Sequence, residues 1–152
     1  MTTAVNGLEE LKALAGQDLG HTDWLQIDQG RVDTFADATD DHQWIHTDPE
    51  RAATGPFGTT IAHGYLTLAL LIPLMSELLE VSGVRMSINY GLEKVRFPAP
   101  VPVGAKIRLQ GQVAAVEEVK GDGVQITIDF TVQIEGSDKP ACVARGIYRH
   151  YA

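Results

Sequence analysis

The chain has one cysteine, two tryptophans and no cluster of lysine or arginine anywhere in its 152 residues. A single cysteine excludes an intrachain disulfide and the multi-thiolate metal sites, so an apolar core has to hold the fold. Cys142 lies in an alternating segment and reads as a small packed side chain. The shortage of basic residues, with a net charge of −8 and a pI near 4.9, excludes a phosphate-tracking nucleic-acid surface. An anionic small molecule stays allowed, since a few well-placed cations suffice. No apolar run reaches the roughly 20 residues that a membrane-spanning helix needs. Met1 to Val5 carries no apolar leader core. A cytoplasmic protein without membrane contact is expected. No linker, repeat or low-complexity tract divides the sequence, so residues 1–152 are expected to form one domain, with 1–5 flexible.

One further absence is local. From Ile61 to Ser76 there is no Asp, Glu, Lys or Arg. This predicts a helix from about Ala62 to Leu79, buried on nearly all sides and bent by Pro73. Ahead of it, Asn6 can cap a short helix carrying Leu8, Leu11 and Leu14 and stopped by Gly16. Trp24 to Ile27 reads as a short strand. Asp28 caps a helix with Val32, Phe35 and Ala36 on its apolar face, ending near Thr39. Asp41 to His46 then falls in a loop, Asp48-Pro49-Glu50 starts another helix, and Thr54 to Thr60 is a loop again. After Gly83 the period changes to two. Strands are expected over Val84 to Tyr90, Glu93 to Phe97, Lys106 to Glu118, Val124 to Ile134 and Cys142 to Tyr151. The short turns Gly121-Asp122-Gly123 and Gly136-Ser137-Asp138 force antiparallel neighbours. A meander with one long apolar helix on its face is an α+β layer architecture.

Two segments carry candidate chemistry. Thr39-Asp40-Asp41-His42-Gln43-Trp44-Ile45-His46 supplies a carboxylate and an imidazole, Asp41 and His46, able to share one water molecule. Residues five apart diverge on a helix, so the pairing requires irregular backbone. Ile61-Ala62-His63-Gly64-Tyr65 opens the apolar helix, where first-turn N–H groups lack internal partners. Gly64 has no Cβ and permits close approach of a ligand. Together these parts would add water across an activated double bond, or remove it. Singly they are ordinary: Asp is common at helix breaks, and a lone His is more often structural. Asp40 and His42 read as solvated loop residues. The His and Asp spacings fit no strong zinc pattern, so no metal is expected.

These segments resemble the MaoC-like dehydratases, or (R)-specific enoyl-CoA hydratases, whose motif runs roughly Gly-Asp-x-Asn-Pro-(Ile/Leu/Val)-His. Asp41, Ile45 and His46 fall on its Asp, aliphatic and His positions, and Ile61-Ala62-His63-Gly64 matches the family's helix start. Asp40, Gln43 and Trp44 depart from its Gly, Asn and Pro. Gln43-Trp44-Ile45-His46 with Asp48-Pro49-Glu50-Arg51-Ala52 is most similar to the nodulation-protein-N-like branch. The likeness runs from about Leu8 to Tyr151. It implies a hot-dog fold, an antiparallel sheet curled around one long central helix, and a homodimer with an acyl-CoA channel near the subunit interface. It implies that Asp41 accepts a proton from water, that His46 holds the water and relays the proton, and that the Gly64 N–H receives the thioester oxygen. Phe57, His63, Tyr65 and Arg96 are candidate substrate contacts, and Arg85, Lys94 and Lys106 are further cations for the CoA phosphates. His63 reads otherwise as a polar residue beside the helix start. The implied reaction converts a trans-2-enoyl-CoA into an (R)-3-hydroxyacyl-CoA with no cofactor, the CoA thioester being the substrate. A hot-dog thioesterase and a non-catalytic acyl-thioester binding module are the alternatives.

Overall fold

The computed structural model describes residues 1–152. Its main sheet has the strand order β2-β6-β7-β8-β5, formed by Asp18–His21 (β2), Met86–Arg96 (β5), Lys106–Val119 (β6), Gly123–Ile134 (β7) and Cys142–Tyr151 (β8). All these neighbours are antiparallel, and the short β3 (Leu25–Gln26) also pairs with β6. The central strands alternate as their sequence period demands. Ile107, Leu109 and Val113 of β6 and Ile126, Ile128, Phe130 and Val132 of β7 are all buried. Register shifts interrupt the β2–β6, β6–β7 and β5–β8 ladders. Such bulges add local twist and let the sheet curl.

The helix lies against the inner face of that curl. It comes in two pieces, Gly64–Ala69 (α5) and Leu71–Leu78 (α6), joined through Leu70. Pro73 explains the break: it has no N–H to donate to the Ala69 carbonyl, and its ring crowds that turn. Leu66, Leu70, Leu71, Leu74 and Leu78 point into the core. The opposite face differs from expectation. Tyr65 is 73% exposed, and Ala69 and Ile72 are exposed beside it. Within one chain the helix is therefore buried on one side only.

Three other expectations are corrected. Val84 to Tyr90 and Glu93 to Phe97 form the single strand β5, which pairs with β8 across the sheet and not with the following β6. The meander is thus restricted to β6-β7-β8. Residues 1–5 are not a free tail, since β1 (Thr3–Asn6) pairs in parallel with β4 (Leu79–Ser82). His46 is not in a loop but on a short helical turn, α3 (Trp44–Thr47). Between these elements lie α1 (Gly7–Lys12), α2 (Gln29–Thr39) and α4 (Pro49–Ala53). As the sequence indicates, the Asp28 carboxylate accepts from the Arg31 N–H at 2.8 Å and Asp48 accepts from Arg51 at 3.1 Å, capping α2 and α4. No helix is long and apolar enough to cross a membrane.

Candidate active site

The end of α2 sets the position of Asp41. Asp40 follows in the left-handed conformation, φ 60°, and turns the chain sharply out of the helix. Asp adopts that region more readily than most residues with a Cβ, which accounts for its tolerance where glycine would be freest. Trp44 then packs under the guanidinium of Arg51, 4.3 Å from the ring centroid, and against Gly55, where any Cβ would sit 2.9 Å from the indole. The turn of α3 is anchored there and swings His46 inward.

His46 is only 7% exposed. Its Nδ1–H donates to the Ile61 carbonyl at 2.7 Å, which leaves Nε2 as the ring's acceptor when the ring is neutral. Its own carbonyl accepts from Gln29 Nε2 at 2.7 Å, and Gln29 Oε1 accepts from the buried Thr60 hydroxyl at 2.6 Å. The Ile61 N–H donates to the Ile45 carbonyl at 3.0 Å. The His46 turn and the segment entering α5 are thereby stitched together from both sides. Burial pushes the His46 pKa below its ordinary 6.5, with the charge of His63 acting in the same sense, while the bond to Ile61 and the charge of Asp41 oppose the shift.

Asp41, His46 and His63 converge: a carboxylate oxygen and one ring nitrogen from each imidazole lie within 4.8 Å of one another. Two hydrogen bonds of about 2.8 Å at a bent angle span about that distance, so one water fits between a carboxylate and a ring nitrogen here. The structure thus brings the Asp41 and His46 side chains together in space. The two histidine rings stack with centroids 3.9 Å apart and planes at 23°. His46 Nδ1 and His63 Nε2 engage the carbonyls of Ile61 and Asp41.

His46 opens onto a cavity of about 310 Å³ whose lining includes Phe57, Gly64, Thr67 and Phe97. The Gly64 N–H makes no backbone bond, and the Phe97 ring covers its Cα so closely that an added Cβ would lie 3.2 Å from it. Phe57 lines this cavity. Tyr65 lies instead in a separate apolar cleft of about 270 Å³ with Leu68, Ile72, Leu92 and Tyr148. His63, 2% exposed, is packed behind His46 and is not part of either lining. Arg96 is exposed next to Phe97 and donates to the Val95 carbonyl. Arg85 precedes the opposite end of β5 and donates to the Ala152 carbonyl, away from the cavity. Gln29, Thr60, Thr67 and Phe97 escaped the sequence reading. Gln29 and Thr60 look like ordinary helix-start and loop residues, and nothing in their spacing marks a partnership 31 residues apart.

The sequence and the fold are similar to those of known proteins. The family described as MaoC like domain matches residues 10–134. The chain is 57% identical over 143 residues to 3-hydroxyacyl-thioester dehydratase Z of Mycobacterium tuberculosis, covering 94% of this chain and 95% of that protein. It is 42% identical over 142 residues to nodulation protein N of Rhizobium leguminosarum bv. viciae, covering 92% and 88%. The crystal structure of the (R)-hydratase of Aeromonas caviae involved in PHA biosynthesis superposes with a TM-score of 0.72 at 25% identity, over 88% of this chain and 94% of that one. The hot-dog fold follows from these matches together with the curled antiparallel sheet and its central helix.

Proposed function

This chain belongs to the MaoC like domain family, and from that premise we propose that it is a hydro-lyase acting on acyl thioesters. In the finer reading it adds water reversibly to a trans-2-enoyl-CoA and yields the (R)-3-hydroxyacyl-CoA. The observation that supports this is that Asp41 and His46 meet at water-bridging distance and that His46 lines one cavity with Gly64, whose N–H makes no backbone bond. A water there donates one hydrogen to the Asp41 carboxylate and one to the His46 Nε2 lone pair. Its oxygen attacks Cβ of the enoyl group, and the π electrons move to Cα and the thioester oxygen. The developing oxyanion meets the Gly64 N–H. One water proton passes to the Asp41–His46 pair, and one proton returns from the pair to Cα. No charge or redox equivalent is left over, so the scheme uses only groups of this chain and no cofactor. Positioned acid–base groups contribute about 10²–10⁴ in rate, and one oxyanion donor about 10²–10³.

A homodimer is part of the same reading. β5 is an edge strand of 11 residues on which Met86, Ile88, Tyr90 and Leu92 are exposed, and Leu92 shares a cleft with Tyr65 and Ile72 of the helix. A long apolar edge left open is an aggregation hazard that a second copy removes. The cleft between helix and β5 then becomes interfacial and accepts the acyl chain.

The test is direct. Purified protein should remove the conjugated-thioester absorbance of trans-2-enoyl-CoAs of short, medium or long chain, giving (R)-3-hydroxyacyl-CoA on chiral analysis. Release of free thiol with the double bond intact would replace this reading with a thioesterase. Binding of every chain length without turnover would reduce it to a binding module.

A further inference from the structure

Asp41 is the weakly held member of the site. It lies 52% exposed in the segment between α2 and α3, and its carboxylate makes no hydrogen bond. One bond ties the residue to the interior: His63 Nε2–H donates to the Asp41 main-chain carbonyl at 2.9 Å. The same nitrogen stands 3.9 Å from the carboxylate oxygen Oδ2. His63 is itself rigid. It is the residue before α5, buried, with its ring stacked on His46 at 3.9 Å and flanked by Phe35 at 4.9 Å. Its Nδ1 is buried without any partner. Leaving a polar atom unsatisfied in an apolar setting costs stability. A Leu or Phe would avoid that cost and fill the space, so the ring's value lies in its other nitrogen.

We infer that His63 is a positioning residue for the acid–base pair, fixing the Asp41 carbonyl with its Nε2–H and the His46 ring with its face. It contacts neither the cavity nor the reacting atoms. It sets the separation of the two groups that hold the water, and it ties that separation to the start of α5, where the oxyanion donor lies. The inference rests on the hydro-lyase reading given above. Misplacement of a reacting group by about 1 Å costs up to about 10²-fold in rate.

Two variants separate the roles. His63→Gln places an amide N–H near the position of Nε2 but removes the ring. His63→Phe keeps a stacking ring but has no donor. With the parent enzyme active, His63→Phe should lower kcat about 10- to 100-fold with KM changed less than threefold, and His63→Gln should recover kcat to within about tenfold of the parent. Melting temperature, measured alongside, corrects for the folded fraction. A purely structural histidine would lower melting temperature in both variants and leave kcat per folded molecule alone. Retention of kcat by His63→Phe, equal losses in the two variants, or a loss confined to KM overturns the inference. If the parent hydrates no enoyl-CoA, the hydro-lyase reading has failed on its own, and nitrogen-15 NMR decides for His63. A ring protonated at Nε2, with the Asp40–His42 amides shifted in His63→Phe but not in His63→Gln, supports the tether. An Nδ1-protonated ring, or no shift in His63→Phe, refutes it.

Discussion

His46 and Asp41 stand within water-bridging distance of each other and are held in opposite ways. His46 is enclosed: its ring, its carbonyl and the strand-like segment beside it are all hydrogen-bonded, and its surroundings are apolar on the cavity side. Asp41 is open to solvent and hangs from one main-chain bond. The difference divides the labour of the site. In the proposed scheme a fixed imidazole defines where the water sits, and a solvated carboxylate gives it a proton acceptor without burying a charge, which would be costly. The enclosed partner should therefore matter to folding as well as to turnover, and the exposed one to turnover alone.

The largest effects should expose that asymmetry. Asp41→Asn removes the acceptor without changing shape, and hydration activity should fall about 10²–10⁴-fold. Its melting temperature should stay within a degree or two of the parent, as for most exposed substitutions away from structural features. His46→Ala should lose activity to the same extent. It should also lose stability, by about 1–3 kcal/mol, because the Ile61 carbonyl is left buried without its donor. Assays of turnover and of urea unfolding on both variants test the contrast. Equal stability for the two would break it.

Gly64→Ala comes next. Gly64 does not adopt a positive φ, so the backbone tolerates alanine. The new Cβ would lie 3.2 Å from the half-exposed Phe97 ring, which can yield by a few tenths of an ångström. Folding should hardly change, while kcat should drop about tenfold or more as the thioester oxygen is held off its donor. Gln29→Ala should be milder in turnover, since it loosens the His46 carbonyl and leaves the Thr60 hydroxyl unpartnered without touching the water. A loss of about 1–2 kcal/mol in unfolding free energy is expected.

The same contrast explains what the sequence made legible. Strand period, the turns at 121–123 and 136–138 and the caps at Asp28 and Asp48 are local signals, and they place β6, β7, β8, α2 and α4 closely. β5 went wrong because its partner is decided at long range: nothing within Val84 to Phe97 says that β8 is the neighbour. Its bulges at Asn89/Gly91 and Glu93/Val95 also split one strand into two apparent ones. The helix was legible as apolar but not as one-sided, since in sequence an apolar face left exposed looks the same as one facing a core. In the site, the Asp41–His46 spacing and the Ile61–Gly64 helix start were readable as a motif. The parts that lock them, Gln29 to Thr60 and His63 to the Asp41 carbonyl, are side chain–side chain and side chain–main chain bonds between distant segments, with no period or spacing to announce them.

The smallest effect is on pH dependence, and its direction follows from burial. Turnover in the proposed scheme requires a lone pair on His46 Nε2, so activity falls on the acid side as that nitrogen takes up a proton. Burial sets the His46 pKa below 6.5, so the acid limb of kcat/KM should have its midpoint below pH 6.5. Phe97→Ala opens the cavity to water, weakens the desolvation and should move the limb upward toward the ordinary value. Stability carries the same sign. The folded chain holds His46, and also His150 buried against Ser87, with lowered pKa values. From the ordinary 6.5 down to those lowered values, the unfolded chain binds more protons than the folded one. Stability is thus retained above pH 6.5 and lost as pH falls through that window. A thermal melt series from pH 8 to pH 5 should therefore be flat at first and then decline. An acid limb at or above 6.5 in the parent, unmoved by Phe97→Ala, would mean that the ring is hydrated in solution and that the enclosed partner is as open as Asp41.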